Sequence, residues 1–155
     1  MYNDNDPSDL LHSYDDLSKR ELRSFVLHLL YALESLDYQD SLMSVIDNFN
    51  RGFEMNIPMN STLVKTVESI AMQKETLDES YKEYLAHWKM ERLSVMVRLI
   101  LRYAIWEIQQ KELDPKIIIN EAIELAKQFA EKDAYRFVNG ILDQFVKTKK
   151  ALISQ

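Results

Sequence analysis

An all-α fold of about seven helices, arranged as one domain, is predicted by three features of the chain. Only two glycines and three prolines interrupt 155 residues, so long helices meet few breakers. Apolar residues recur three and four apart, and no stretch alternates apolar with polar residues as a half-buried strand does. The apolar share, 46%, suffices for a real core at this length. No internal repeat is visible.

The elements follow in order. Residues 1–17 hold Pro7 and five aspartates (Asp4, Asp6, Asp9, Asp15, Asp16) and no lysine or arginine, which predicts a flexible acidic tail. A first helix starts at Ser18, because Ser18 and Glu21 have capping-box spacing. Leu22, Phe25, Val26, Leu29, Leu30 and Leu33 carry it to about Leu36. Leu42, Val45, Ile46, Phe49 and Phe53 mark a second helix ending near Gly52, followed by the loop "EMNIPMN". Asn60 or Ser61 caps a third, with Leu63, Val64, Val67, Ile70 and Ala71 inward. A short fourth covers Leu77 to Leu85.

The fifth helix, 91–110, is the most apolar segment. Arg92, Arg98, Arg102 and Glu107 exclude a membrane span, since each arginine at a bilayer centre costs roughly 3 kcal/mol or more. Glu91, Arg98, Arg102 and Gln109 fall on one stripe, which predicts an enclosed helix with a single polar edge. Pro115 breaks the chain, and a sixth helix starts near Asn120 with Ile119, Ile123, Ala126 and Phe129 inward. Asp133 caps the last helix, which runs to about Ala151 and leaves 152–155 as the C-terminal end. That helix contains Asn139-Gly140, a pair that favours turns. Apolar spacing continues past it through Ile141, Leu142, Phe145 and Val146. The expectation is a close helix crossing at Gly140, with Asn139 pairing there; the alternative is a local break.

Composition narrows function. Cysteine is absent, which removes disulfides, thiolate metal sites and cysteine nucleophiles and is compatible with a reducing cytoplasm. The opening "MYNDNDPSD" does not read as a signal peptide. His12, His28 and His87 are scattered, and Glu83 with His87 supplies only two of the ligands a metal needs. Glu121 and Glu124 continue into Lys127 and Glu131 as a solvent stripe. No phosphate loop, nucleophile elbow or dinucleotide fingerprint is present. No catalysis, metal or cofactor is expected.

Charge points elsewhere. The net charge is −6, from 25 acidic and 19 basic residues. Five of those acids lie in residues 1–17, so the rest is nearly balanced, 20 against 19, and a basic patch can form. Lys19, Arg20 and Arg23 crowd the first turn of the first helix. With the positive end of the helix dipole they make an anion site suited to phosphate or RNA, the alternative being exposed charge without a ligand. Lys132 and Arg136 flank the start of the last helix and would extend the patch if the two helix starts meet. Lys147, Lys149 and Lys150 complement a helix C-terminus.

Three stretches resemble the NusB family of bacterial transcription antitermination factors. "INEAIELAKQFAEKDAYRFVNGILD" (119–143) is similar to its C-terminal motif. "WKMERL" (88–93) followed by "LRYAIWEI" (101–108) resembles its W-x-x-x-R-L and L-R-x-A-x-x-E patterns. "KRELRSFVLHLLY" (19–31) is similar to its opening basic helix. The resemblance implies two small helical bundles, binding of boxA RNA from ribosomal RNA leaders, and pairing with NusE, a small-subunit ribosomal protein. It also implies membership of the RNA polymerase antitermination complex. It carries RNA contact onto Lys19, Arg20 and Arg23, and onto Lys132, Asp133, Arg136 and Phe137 near the last helix start. Partner contact falls on Tyr31 and the Glu91 edge. Glu21 departs from the family pattern, where arginine is common, and lowers the local positive charge. Three readings therefore stand: an RNA-binding antitermination factor, a protein–protein module without specific RNA binding, and a detached domain of an rRNA methyltransferase. The last lacks a methyl-donor fold and a catalytic cysteine. Homodimerisation is left open.

Overall fold

The computed structural model describes residues 13–86 and 88–153. Among them are seven α-helices and no β-strand. The chain divides into two compact units, residues 1–69 and 70–155.

The first unit holds α1 (Lys19–Ser35), α2 (Leu42–Gly52) and most of α3 (Thr62–Met72). The predicted capping box forms: Ser18 Oγ accepts from the Glu21 N–H at 3.1 Å, and Glu21 Oε1 accepts from the Ser18 N–H at 3.2 Å. Helical spacing puts Val26, Leu27, Leu29, Leu30 and Leu33 on the buried face of α1. From α2, which packs on α1, Val45, Ile46 and Phe49 are buried. Ser61, rather than Asn60, reaches the start of α3, its Oγ accepting from the Val64 N–H at 3.3 Å. The loop between α2 and α3 is clamped by Asn50, whose amide donates to Ile57 O (3.2 Å) and accepts from the Ile57 N–H (3.0 Å). Within the stretch expected to be a flexible tail, Tyr14–Asp16 form a 3-10 turn. It is held by a hydrogen bond from the Tyr14 N–H to Asn56 Oδ1 at 2.9 Å. Residues 1–12 lie outside the described residues.

The second unit holds α4 (Lys74–Lys82), α5 (Val95–Gln110), α6 (Pro115–Phe129) and α7 (Ala134–Ile153). Helix α5 is its centre: every residue from Leu99 to Ile105 is buried, and α4, α6 and α7 all pack on it. No helix among the described residues is long and apolar enough to cross a membrane.

Several boundaries differ from those expected. The fourth helix starts at Lys74 and ends at Lys82, three residues earlier at each end. Residues 90–92 form a separate 3-10 turn, and α5 begins after Ser94, whose Oγ accepts from the Val97 N–H at 3.2 Å. Helix α6 starts at Pro115, not near Asn120. Asp114 caps it through the Lys116 N–H at 2.9 Å, and proline at the first helical position loses no hydrogen bond.

Two larger corrections concern polar residues. Arg102 is not part of a polar edge. It is buried, and pairs bidentately with Asp78 of α4 through Nε–Oδ1 at 2.7 Å and Nη2–Oδ2 at 2.8 Å. Tyr81 joins them, its hydroxyl donating to Asp78 Oδ1 at 3.0 Å and lying 3.3 Å from Met90 Sδ. Burial, then the Asp78 carboxylate, holds that phenol far above its ordinary pKa. The second correction is the Asn139-Gly140 crossing. Both residues are exposed, and a Cβ at Gly140 would meet nothing within 4 Å among the described residues. The buried face of α7 is Val138, Ile141, Leu142 and Phe145. At about 100° per residue, 139 and 140 fall on the opposite side.

Candidate nucleic-acid interface

Each unit carries one group of expected site residues. In the first unit they stand on the opening turns of α1. The capping box leaves Lys19 and Arg20 exposed and Arg23 part-exposed around a helix start whose backbone N–H groups already attract anions. Glu21 is committed to the cap, so its carboxylate sits amid the three cations as a structural requirement. Asp15 and Asp16, exposed in the preceding 3-10 turn, add two more negative charges close by in sequence. The patch is therefore basic in its helix turn and acidic in its approach.

In the second unit the connection from α6 to α7 bends sharply. Asp133 takes a left-handed backbone, φ 68°, and not the extended conformation of an N-cap residue. The Ala134 N–H bonds to Glu131 O at 3.1 Å and the Arg136 N–H to Asp133 O at 3.1 Å. This bend borders a cleft of about 330 Å³. Its apolar walls come from Trp88, Leu93, Val97 and Phe137, and Arg92, Glu131, Lys132 and Asp133 bring charge of both signs. Trp88 and Phe137 meet edge to face, with centroids 6.1 Å apart and planes at 68°. Glu131 is positioned by the Ser94 hydroxyl, which donates to Oε2 at 3.0 Å.

The structure thus brings Lys132, Asp133 and Phe137 together, with Phe137 half-buried. Arg136 is turned to Tyr135. Its Nε donates to the phenol oxygen at 3.2 Å, and its guanidinium lies 5.7 Å from the ring centroid. That hydrogen bond, then the neighbouring Asp133, raises the Arg136 pKa. Lys127 Nζ approaches the same ring at 5.0 Å, so Tyr135 gathers two cations.

Tyr31 is exposed on α1. Glu91 is exposed in the 3-10 turn before α5, and so is not on a helical edge. Lys147 pairs with Asp143 at 2.9 Å, and Lys149 lies over Phe145 at 5.3 Å. No group of three or more His, Asp or Glu among the described residues is placed to hold a metal; His87, of the Glu83–His87 pair, lies outside them.

Sequence reasoning did not assign Trp88, Arg92 or Tyr135 to a site. Trp88 is 58% exposed. Its signal was a tryptophan with Lys89 and Arg92 beside it, the interleaving of aromatic and basic residues seen in nucleic-acid sites.

Comparison with known proteins gives a consistent picture. The sequence profile of the NusB family matches residues 20–147. A transcription antitermination protein NusB of Bacillus thuringiensis is 33% identical over 133 residues, which cover 85% of this chain and 99% of the relative. The solved structure of T. maritima NusB superposes with a TM-score of 0.70 at 26% identity, covering 84% of this chain and 92% of that one. NusB from Aquifex aeolicus shares the fold, with a TM-score of 0.66 at 20% identity and coverage of 83% and 86%.

Proposed function

This chain belongs to the NusB family of transcription antitermination proteins, and from that premise we propose that it binds boxA RNA of ribosomal RNA operons together with NusE. In this reading the pair joins RNA polymerase in the cytoplasm and keeps ribosomal RNA transcription from stopping early. The protein acts by binding, without catalysis or cofactor.

The observation that carries the reading is the start of α1. Lys19, Arg20 and Arg23 surround a capped helix N-terminus, so side-chain charge and backbone dipole act on phosphate together. Lys132 and Arg136 supply further cations. Asp133 is an acceptor for an amino group on a base edge, and Phe137 offers part of a ring. Tyr31 and Glu91 are assigned to the protein partner.

Salt dependence tests the claim. Single-stranded RNA held through three to five phosphates should give a log–log slope of affinity on salt of roughly −2 to −3.5. Replacing Lys19, Arg20 and Arg23 by alanine should weaken boxA binding and flatten that slope by about 2. An unchanged slope would contradict phosphate contact at α1. The protein–protein module is the second reading, favoured by Glu21, Asp15 and Asp16 beside the cations; it predicts NusE binding with weak RNA binding indifferent to sequence.

A further inference from the structure

The second unit has a groove that includes none of the residues assigned above to RNA or to the protein partner. It opens where the end of α5, the start of α6 and the end of α7 come together, and it encloses about 460 Å³. Ile108, Pro115, Phe145, Val146 and Leu152 give it an apolar lining. Phe145 is buried, Ile108, Pro115 and Val146 are part-exposed, and Leu152 is 64% exposed. Ala134, at the other end of α7, is about 22 Å from Lys149 by helix rise. The groove is therefore separate from the cleft at the α7 start.

Its charge is of one sign. Lys111, Lys149 and Lys150 line it, and among the described residues no acid does, in a chain where acids outnumber bases 25 to 19. Lys149 is held at the apolar wall, its Nζ 5.3 Å from the Phe145 ring centroid. Lys111 stands at the C-cap of α5. Asp114, in the neighbouring turn, is engaged as the cap of α6. Lysines near helix C-termini complement the dipole, yet the magnitudes leave a surplus. Two helix ends supply about half a negative charge each, against three whole positive ones. The dipole also gives no reason for an open apolar lining.

An apolar groove with a cationic rim fits a partner with the opposite pattern. RNA fits it poorly. Its bases would find no open ring face, since Phe145 is buried beside Lys149, and the apolar lining would stay in water. An amphipathic helix supplies both halves: an apolar stripe for the groove and acids along its flanks. We propose that this groove docks an acidic amphipathic helix of a partner protein. The apolar stripe covers Ile108, Val146 and Leu152, and the flanking carboxylates meet Lys111, Lys149 and Lys150. This assignment is independent of the RNA reading.

The test is fluorescence anisotropy of the full chain with a labelled helical peptide that carries leucines at i, i+3, i+4 and i+7 and glutamates on its flanks. Two control peptides replace the leucines by glutamine or the glutamates by lysine. Only the acidic amphipathic peptide should bind, and added salt should weaken it. K111E/K149E should bind it about ten-fold more weakly, and L152S should also weaken it, with circular dichroism melts matching wild type. Amide shifts on peptide addition should centre on Ile108 and Val146. Equal binding of the glutamine control overturns the proposal, since charge alone then holds the peptide. Unchanged affinity in both variants, or no binding at all, overturns it as well. Displacement of the peptide by boxA RNA would make the groove part of an RNA surface instead. Self-association of the free protein that K111E/K149E abolishes would make the occupant a second copy, and either result rejects the assigned partner.

Discussion

Gly140 shows how a single position is misjudged from sequence. Glycine inside a helical pattern suggests a close helix crossing or a local break. The structure has neither: α7 runs unbroken through Gly140, which is exposed, with open space among the described residues where a Cβ would stand. Helix propensity is then the only effect left. G140A should raise unfolding free energy by about 0.5–1 kcal/mol in urea titration, and a loss of stability would restore the crossing. His28 is a second case. It is half-buried beside Phe53, and burial lowers its pKa, so it is a neutral member of an aromatic cluster and not a catalytic candidate. Neither residue declares its surroundings in sequence, because both depend on what lies across space.

Elements were more legible than residues. Capping and periodicity are local, and α1 and α2 fall within one residue of their predicted ends for that reason. Errors occurred where a local signal had two meanings. Pro115 reads as a breaker, yet it opens α6, since the first helical position needs no N–H. Arg102 reads as part of a solvent edge from its seven- and four-residue spacing. The spacing is real, but Asp78 of α4 lies on that side, and a carboxylate 24 positions away leaves no periodic trace. The Asp78–Arg102 pair ties α4 to α5 within the second unit and braces Tyr81 and the Met90 turn. Arg102→Ala should therefore cost about 3–5 kcal/mol, the cost of stranding a buried partner. Chemical denaturation measures this directly. A cost below 1 kcal/mol would show that the pair behaves as a solvent-exposed one.

At the scale of the whole molecule, fold and site differ in how much the sequence discloses. An all-helical chain with few breakers announces its class through composition and apolar spacing, and similarity to NusB proteins agrees with it. The basic start of α1 was visible because its cations lie within five residues of sequence. The cleft at Trp88 was not, since its walls come from residues 88–97 and 131–137 and meet only after folding. Under the proposed function the acidic residues Glu21, Asp15 and Asp16 set a balance at the start of α1: their charge opposes phosphate contact, and further contacts would have to outweigh it.

Anisotropy of boxA RNA and a scrambled control, each with and without NusE, is the decisive test of RNA binding by this chain. Binding should be tighter to boxA than to the control, gain further when NusE is added, and weaken with salt. Equal binding to both RNAs while NusE still binds the protein would contradict it, and would make this chain a protein-only module.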